Sequence, residues 1–595
     1  MPDVGPVASG DTLAVTNVTS TPFKPPPILS SSTQDMHQRN PYRNGIDFAE
    51  LSESYDALKP HLISESNSRR KTIDFKDLVA QRRLTEAIMQ RDFGVKLYIP
   101  PDRLCPPVPN RVNYILWIQD IMRAHHDVLS NQTTPIRGID IGTGATAIYA
   151  FLACKMDSSW SMVATELDDF SYQAARRNIQ DNNMQSRIDL RKASSEGQIL
   201  FPFESGGNTY HFTLCNPPFY SSSAEVDALA QEKALPPNAV CTGAPVEMIY
   251  EPKTNAKNGE ALEGGGEAGF VGRMVEESVA FGTRCRWYTS MLGKLSSVLS
   301  VVGTLRKHDI TNYVVTEFVQ GQTRRWAVGW SFTDTRLPDS LARISPFIGP
   351  AHALYSVLPP RNTLSTPLSL PISRSLDMLR DPGSQKDEFE SRIVHALQEA
   401  LDGIDDARVA PISTTSGSDS SVLPSSPHPA DAPSASAPLL APPPAPPGQE
   451  PAHTFVSLLP PSHTTVALFF VEAMRNTWSR AARRKAKGKP ALVVRTESSP
   501  TKPIHPLPAT ATGIGPQDGT GPSLSCSVRV VRAQLDNTAS EVVPIGTNQG
   551  ARKSTYELQL EFQWVFGKDR ALFEAFASHV GRKVTAALSA SSRTT

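Results

Sequence analysis

Short apolar runs alternate with amphipathic stretches through the middle of the chain. Runs at 136–141, 160–165, 186–191 and 209–215 have the length and composition of buried strands. An apolar helical stretch, 147–155, separates the first two. A helix over 270–281, a strand near 286–288 and a helix over 292–302 follow, then strands at 313–318 and 325–332. Strands alternating with helices in this way imply a parallel, doubly wound sheet. Gln320-Gly321-Gln322 separates the last two runs and predicts a hairpin that closes the sheet.

Outside that core the pattern changes. Residues 1–34 are rich in Ser, Thr and Pro and are expected to be disordered. The compact region is expected to span 35–350 and to begin with a separate N-terminal module. Residues 251–266, rich in Gly, Glu and Asn, read as a loop inside it. The stretch 351–410 starts a C-terminal domain or is a linker, with helical spacing at 388–401. Residues 411–452 form a Pro/Ser/Ala-rich linker. A second folded region covers 453–595, interrupted by a loose segment at 497–523. Within it the run 466–470 is expected to open an apolar helix that turns basic, from Arg475 to Lys489. A strand at 557–564 and a helix at 569–588 end the chain.

At 595 residues the chain is too long for one ordinary core. Its formal net charge is zero, so basic surface for a nucleic acid must be local. None of the six cysteines forms a C-x-x-C pair, which argues against structural zinc and for reduced thiols. The first residues hold no apolar signal core, and no apolar run approaches the roughly 18 residues of a membrane helix.

Three motifs carry candidate chemistry. The strand at 209–215 runs into Asn216-Pro217-Pro218-Phe219. An exocyclic amine is a poor nucleophile because its lone pair is delocalised into the ring. The Asn216 side-chain oxygen and the Pro217 carbonyl can accept its two hydrogens and turn the lone pair outward. Proline fixes the turn, and Phe219 offers a face for a flipped base. Upstream, Gly142-Thr143-Gly144 ends a strand and opens a helix, where backbone approaches a ligand closely. The next strand ends in Glu166, placed to hold ribose hydroxyls. Each motif alone also fits a purely structural turn. In this order they form one constellation.

The chain resembles the methyltransferase-like 16 group of RNA adenosine N6-methyltransferases. The resemblance rests on Met36-His37, Arg39-Asn40 and Tyr42; on Asp92-Phe93-Gly94; and on Arg111 with Asn113-Tyr114-Ile115 and Trp117. It continues through 138–145, 164–166, Asn216 to Phe219, Arg286-Trp287-Tyr288, 291–294, 316–318 and 325–332. A weaker likeness covers Leu468 to Trp478 with the basic run, and 564–584, which look like that group's C-terminal RNA-binding domain. The resemblance implies a class I S-adenosylmethionine-dependent methyltransferase of α/β fold, a Rossmann-like doubly wound sheet. It adds an N-terminal RNA-binding module and a discontinuous α+β C-terminal domain. The implied cofactor is S-adenosylmethionine, and the implied partner is structured RNA, foremost a U6 snRNA hairpin.

On that resemblance, Asn216, Pro217, Pro218 and Phe219 hold the target base. Gly142, Gly144, Glu166 and Arg111 contact the cofactor, Arg111 through the methionine carboxylate. Arg286, Lys294, Arg324 and Arg325 line the RNA groove, and Arg39, Asn40 and Arg43 close over the RNA. No metal or membrane partner is expected, and the expected compartment is the nucleus, with the cytoplasm as an addition. One departure concerns a lysine-bearing loop that gates the family's cofactor pocket. Here 193–198 holds no lysine, and Lys192 stands at its edge. Two other readings remain open: a ribosomal RNA adenine-N6 methyltransferase, and a non-catalytic RNA-binding protein on a methyltransferase scaffold.

Overall fold

The computed structural model describes residues 36–64, 70–129, 135–204, 207–226, 244–252, 264–320, 323–344, 352–368, 384–412, 463–487, 522–534 and 556–590. The expected disordered stretch 1–34 and nearly all of the linkers at 411–452 and 497–523 lie outside these residues, as does most of the loop 251–266.

A small hairpin, β1 (Leu62–Ser64) with β2 (Lys71–Ile73), belongs to the N-terminal module. The main sheet contains β3 (Arg137–Ile141), β4 (Ser161–Glu166), β5 (Ile188–Lys192), β6 (Tyr210–Cys215), β7 (Cys285–Leu292), β8 (Tyr313–Gln320) and β9 (Thr323–Trp330). Their order is β5-β4-β3-β6-β7-β9-β8. The first five strands are parallel, and β9 runs antiparallel to both β7 and β8. This is the class I methyltransferase sheet expected from the sequence, with the predicted hairpin at its edge. The chain reverses its direction of winding between β3 and β6, and ligands in such sheets sit outside the carboxyl ends at that point.

Both faces of the sheet are covered, which explains why its strands are near-continuous apolar runs. One face packs on Val108–Leu129 and Ile148–Met156, the other on Gly266–Phe281 and Leu295–Lys307. Trp287 and Trp330 are fully buried, as expected of core residues, and the Trp330 indole donates to Ser278 Oγ at 2.9 Å.

The C-terminal region forms a second sheet from β10 (Thr363–Pro367), β11 (Ala407–Pro411), β12 (His463–Ala473), β13 (Leu524–Gln534) and β14 (Tyr556–Phe566). Its order is β10-β14-β13-β12-β11, all antiparallel. The helices Ser384–Asp402 and Arg570–Ala590 cover one face. Two expectations change here. The run 466–470 is a strand, not a helix. Phe469, Val471 and Ala473 alternate inward with period two, and a five-residue apolar run does not distinguish the two periods. The basic helix does follow, as Arg480–Lys487. The stretch 351–410 is no linker, since it supplies β10, β11 and a helix to this sheet.

The two sheets meet along 334–336. Arg336 N–H donates to Val565 O at 2.8 Å, Gly567 N–H donates to Asp334 O at 3.0 Å, and the Arg336 guanidinium lies 4.4 Å above the Trp564 ring.

Gly138 shows how tightly β3 is held. A Cβ there would stand 2.3 Å from Phe212 Cζ and 2.8 Å from Met162 Sδ. The Gly138→Ala variant is expected to lose about 1–3 kcal/mol of stability, read as a lower urea midpoint with an unchanged slope. A midpoint equal to that of the parent protein would show that the strand can shift without cost.

Candidate active site

β3 and β4 end side by side, and their ends build one cradle. Past Ile141 the backbone turns through Gly142 and Gly144, both at φ +68°, a conformation that side-chain-bearing residues resist. Gly144 N–H donates to Glu166 Oε2 at 2.8 Å, and Thr143 N–H donates to Thr165 O at 2.8 Å. Glu166 is buried, and its Oε1 accepts from Asp168 N–H at 2.8 Å. Burial pushes its carboxyl up, while the N–H groups of Asp168, Gly144 and Leu167 pull it down. Arg103 supports this corner by donating to Asp168 Oδ2 at 2.9 Å and to Ser171 Oγ at 2.9 Å.

Several buried polar atoms beside the cradle have no hydrogen-bond partner: Asp140 Oδ1, Asn110 Oδ1, Arg111 Nε and Asn216 Oδ1. Buried polar groups are nearly always paired, so a cluster of orphans marks a place prepared for a ligand. Thr143 Oγ donates to Asp140 Oδ2 at 2.6 Å, which leaves Oδ1 unused. The Arg111 guanidinium lies 5.4 Å from the centre of the Tyr149 ring.

The loop after β6 brings Asn216 and Phe219 to the same edge. Phe219 is half-buried, with the Arg325 guanidinium 5.6 Å from its ring centre. Pro217 is buried and Pro218 half-buried. Lys294, at the turn after β7, pairs with Glu225. Burial would raise the Glu225 carboxyl, but Lys294 and the Ser221 N–H and O–H hold it down at about 2.

The other expected contacts divide. Arg324 lies at the start of β9 near this edge and pairs with Glu317 at 3.1 Å. Arg39 is half-exposed on Val108–Leu129, where it pairs with Asp120 and donates to Gln119 Oε1 at 3.0 Å. Arg43 sits half-buried in the turn that follows. Asn40 is not on the surface. It is 3% exposed, and its amide donates to Pro109 O at 3.0 Å and Asn113 Oδ1 at 2.7 Å. Its Oδ1 accepts from Tyr42 N–H at 2.9 Å, so it ties the N-terminal module to the helix that bears Arg111. Arg286 is also not brought to the site. The register Tyr210↔Cys285 puts it at the N-terminal end of β7, opposite the end that carries Gly293 and Lys294.

Sequence reasoning missed several contributors. Asp140 carried a signal, an acid between two isoleucines of an apolar strand. Glu225, Glu247 and Glu267 carried none, because they reach the site from distant segments. Glu247 accepts from Leu104 N–H at 3.1 Å and stands near Gly144. Lys192, expected only at the edge of the 193–198 loop, reaches back: its ammonium donates to Leu167 O, next to Glu166, and lies 3.3 Å from Asp169.

The family profile described as RNA methyltransferase matches residues 30–334. The mouse protein RNA N(6)-adenosine-methyltransferase METTL16 is 37% identical over 306 residues, 51% of this chain and 52% of its own length. The fission yeast (Schizosaccharomyces pombe) U6 small nuclear RNA (adenine-(43)-N(6))-methyltransferase is 38% identical over 285 residues, 48% of this chain and 69% of its own. Ribosomal RNA large subunit methyltransferase F of Colwellia psychrerythraea is 31% identical over 304 residues, 50% of this chain and 99% of its own. The chain thus spans only about half the length of the mouse relative. On the matched residues 30–334, the chain belongs to the RNA methyltransferase family.

Proposed function

We propose that the protein transfers a methyl group from S-adenosylmethionine to N6 of an adenosine in structured RNA, a U6 snRNA hairpin being the substrate the relatives suggest. The observation that carries the reading is the Asn216 side-chain oxygen, buried without a partner at the end of β6. An acceptor left open there suits an amine that arrives with the substrate. It does not suit a protein that uses the fold only as a scaffold.

The residues present fit the cofactor. Glu166 would take its ribose hydroxyls, the Gly142–Gly144 backbone would allow close approach, and Arg111 would hold its carboxylate. S-adenosylmethionine supplies an electrophilic methyl group when bound. The chain's own contribution is positioning. Phe219 would stack the flipped base, and Asn216 Oδ1 with the Pro217 carbonyl would grip the two amine hydrogens. No side chain has to remove a proton beforehand, since the nitrogen becomes acidic once alkylated. Basic groups at the same edge, Lys294, Arg324 and Arg325, would meet phosphates. The compartment that fits a U6 substrate is the nucleus.

The Asn216→Ala variant is expected to lower kcat about 10²- to 10³-fold while RNA affinity stays within about threefold, because phosphate contacts dominate it. Labelled methyl transfer to a U6-like hairpin, beside a hairpin without the target adenosine and a ribosomal fragment, reads this directly. Near-normal turnover in the variant would refute the assignment of Asn216. Label appearing only on the ribosomal fragment would move the substrate to ribosomal RNA.

Asp140 gives a second test. Burial lifts its carboxyl from 3.8 to about 7, against hydrogen bonds from Thr143 and Ala150 and the nearby Arg111 charge. The folded protein therefore keeps this proton over a range where the unfolded chain has lost it. Its contribution to stability is complete below about pH 4 and disappears as the pH rises through about 7. The Asp140→Asn variant should melt increasingly above the parent protein from about pH 4 to about pH 7, with a constant margin at higher pH. Glu166, shifted in the same direction, leaves a residual slope. Parallel melting profiles for the two proteins would show that Asp140 ionises normally.

A further inference from the structure

The loop that carries Phe219 is enclosed on three sides. Tyr220 N–H donates to Met248 O and Tyr250 N–H donates to Tyr220 O, each at 2.9 Å, which ties the loop to 248–250. The helix Gly266–Phe281 begins behind it, and a Cβ on Gly266 would lie 3.3 Å from Phe219 O. The third side is the turn after β7. A Cβ on Gly293 would come within 3.1 Å of Phe219 Cδ1 and 3.2 Å of Glu267 Oε2. The bare backbone of Gly293 is therefore the wall on which the Phe219 ring rests.

One carboxylate holds that wall. Glu267, in the first turn of Gly266–Phe281, is 1% exposed. Its Oε2 accepts from Gly293 N–H at 2.6 Å, and its Oε1 accepts from Lys294 N–H at 2.8 Å. A buried carboxylate is costly unless its oxygens are occupied, and here each takes a charge-assisted bond from backbone. Its place at a helix N-terminus favours the negative charge further. The result is a tie between the start of the helix Gly266–Phe281 and the turn after β7, at the back of Phe219.

We propose that Glu267 is a positioning residue that fixes the Gly293 backbone and, through it, the place of the Phe219 ring relative to Asn216. It touches neither base nor cofactor. The inference rests on the stacking role of Phe219 proposed above. A stacking face displaced by about 1 Å carries the amine off line, and such an error costs on the order of 10²-fold in rate. The Glu267→Gln variant keeps the shape but turns an NH2 toward one of the two backbone N–H groups, so donor faces donor.

The test uses the full chain and a hairpin RNA, with 2-aminopurine in the target position for a separate fluorescence reading. Glu267→Gln is expected to lower kcat about 10- to 100-fold, leaving the KM for RNA and the Kd for the cofactor within about threefold. The fluorescence change on binding should shrink, because the base no longer stacks fully. Gly293→Ala, whose Cβ crowds both the ring and the Glu267 carboxylate, should reproduce both effects. Parent-like kcat and fluorescence in Glu267→Gln would overturn the proposal. A fall in thermal stability with cofactor affinity lost in step would overturn it too, by making Glu267 a fold-holding group only. If the parent protein methylates hairpin RNA yet Phe219→Leu changes neither kcat nor fluorescence, the stacking reading itself fails. A parent-like Glu267→Gln beside an impaired Phe219→Leu removes only this inference.

Discussion

The pairing of β3 between β4 and β6 is the constraint on which the site depends. Gly138 faces Met162 on one side and Phe212 on the other, and no side chain larger than hydrogen fits between them. That close fit fixes the heights of three strand ends. Gly142, Glu166 and Asn216 come from segments far apart in sequence, yet register alone sets them along one edge. Parallel strands point their carboxyl ends the same way, so the edge gathers loops rather than regular structure, and loops are where ligand-binding groups can vary.

The same edge is where the fold gives up polar satisfaction. Asp140, Asn110, Arg111 and Asn216 each keep a buried atom without a partner. Every one of these would destabilise a protein selected for stability alone. Other such atoms lie elsewhere among the described residues, so it is the grouping of these four beside a left-handed glycine turn that fits a ligand site. Asp140 makes the point sharply. Burial lifts its carboxyl to about 7, with the charges of Glu166 and Arg111 nearby and the apolar helix Ile148–Met156 following the glycine turn. Those orphans thus record, in the free protein, the polarity of what is to be bound.

Much of this was legible in the sequence because the signals were local. Apolar runs bounded by turn residues located the seven strands, and Gly142, Glu166 and Asn216 each stood where a strand stopped. The expectations that changed were those whose physics is not local. Val466–Phe470 was too short for its period to separate strand from helix. Asn40 lay in a basic stretch, but its amide satisfies three partners inside the protein. Arg286 was assigned to the groove on the family resemblance, whereas the extended β7 carries it to the end of the strand opposite Lys294. Glu225, Glu247 and Glu267 announce nothing in sequence, since each meets a partner from another segment: the Lys294 ammonium, Leu104 N–H, and the Gly293 and Lys294 N–H groups.

On the proposed function, a chain of zero net charge must meet a polyanion locally, and the pairs at the site edge show how. Lys294 is held by Glu225 and Arg324 by Glu317, and against the helix Val108–Leu129 Arg39 is likewise held by Asp120. In the free protein these cations do not repel one another, so the edge is not strained by like charge. An arriving phosphate competes with a carboxylate for each of them instead of meeting a bare cation. That exchange lowers the gain from non-specific electrostatics, because part of each attraction is already satisfied. Discrimination then falls to groups with no partner to give up, and the buried Asn216 oxygen is the one among them proposed to accept from the target amine. Weak capture by charge and strict selection by hydrogen bonding follow from the same distribution of carboxylates.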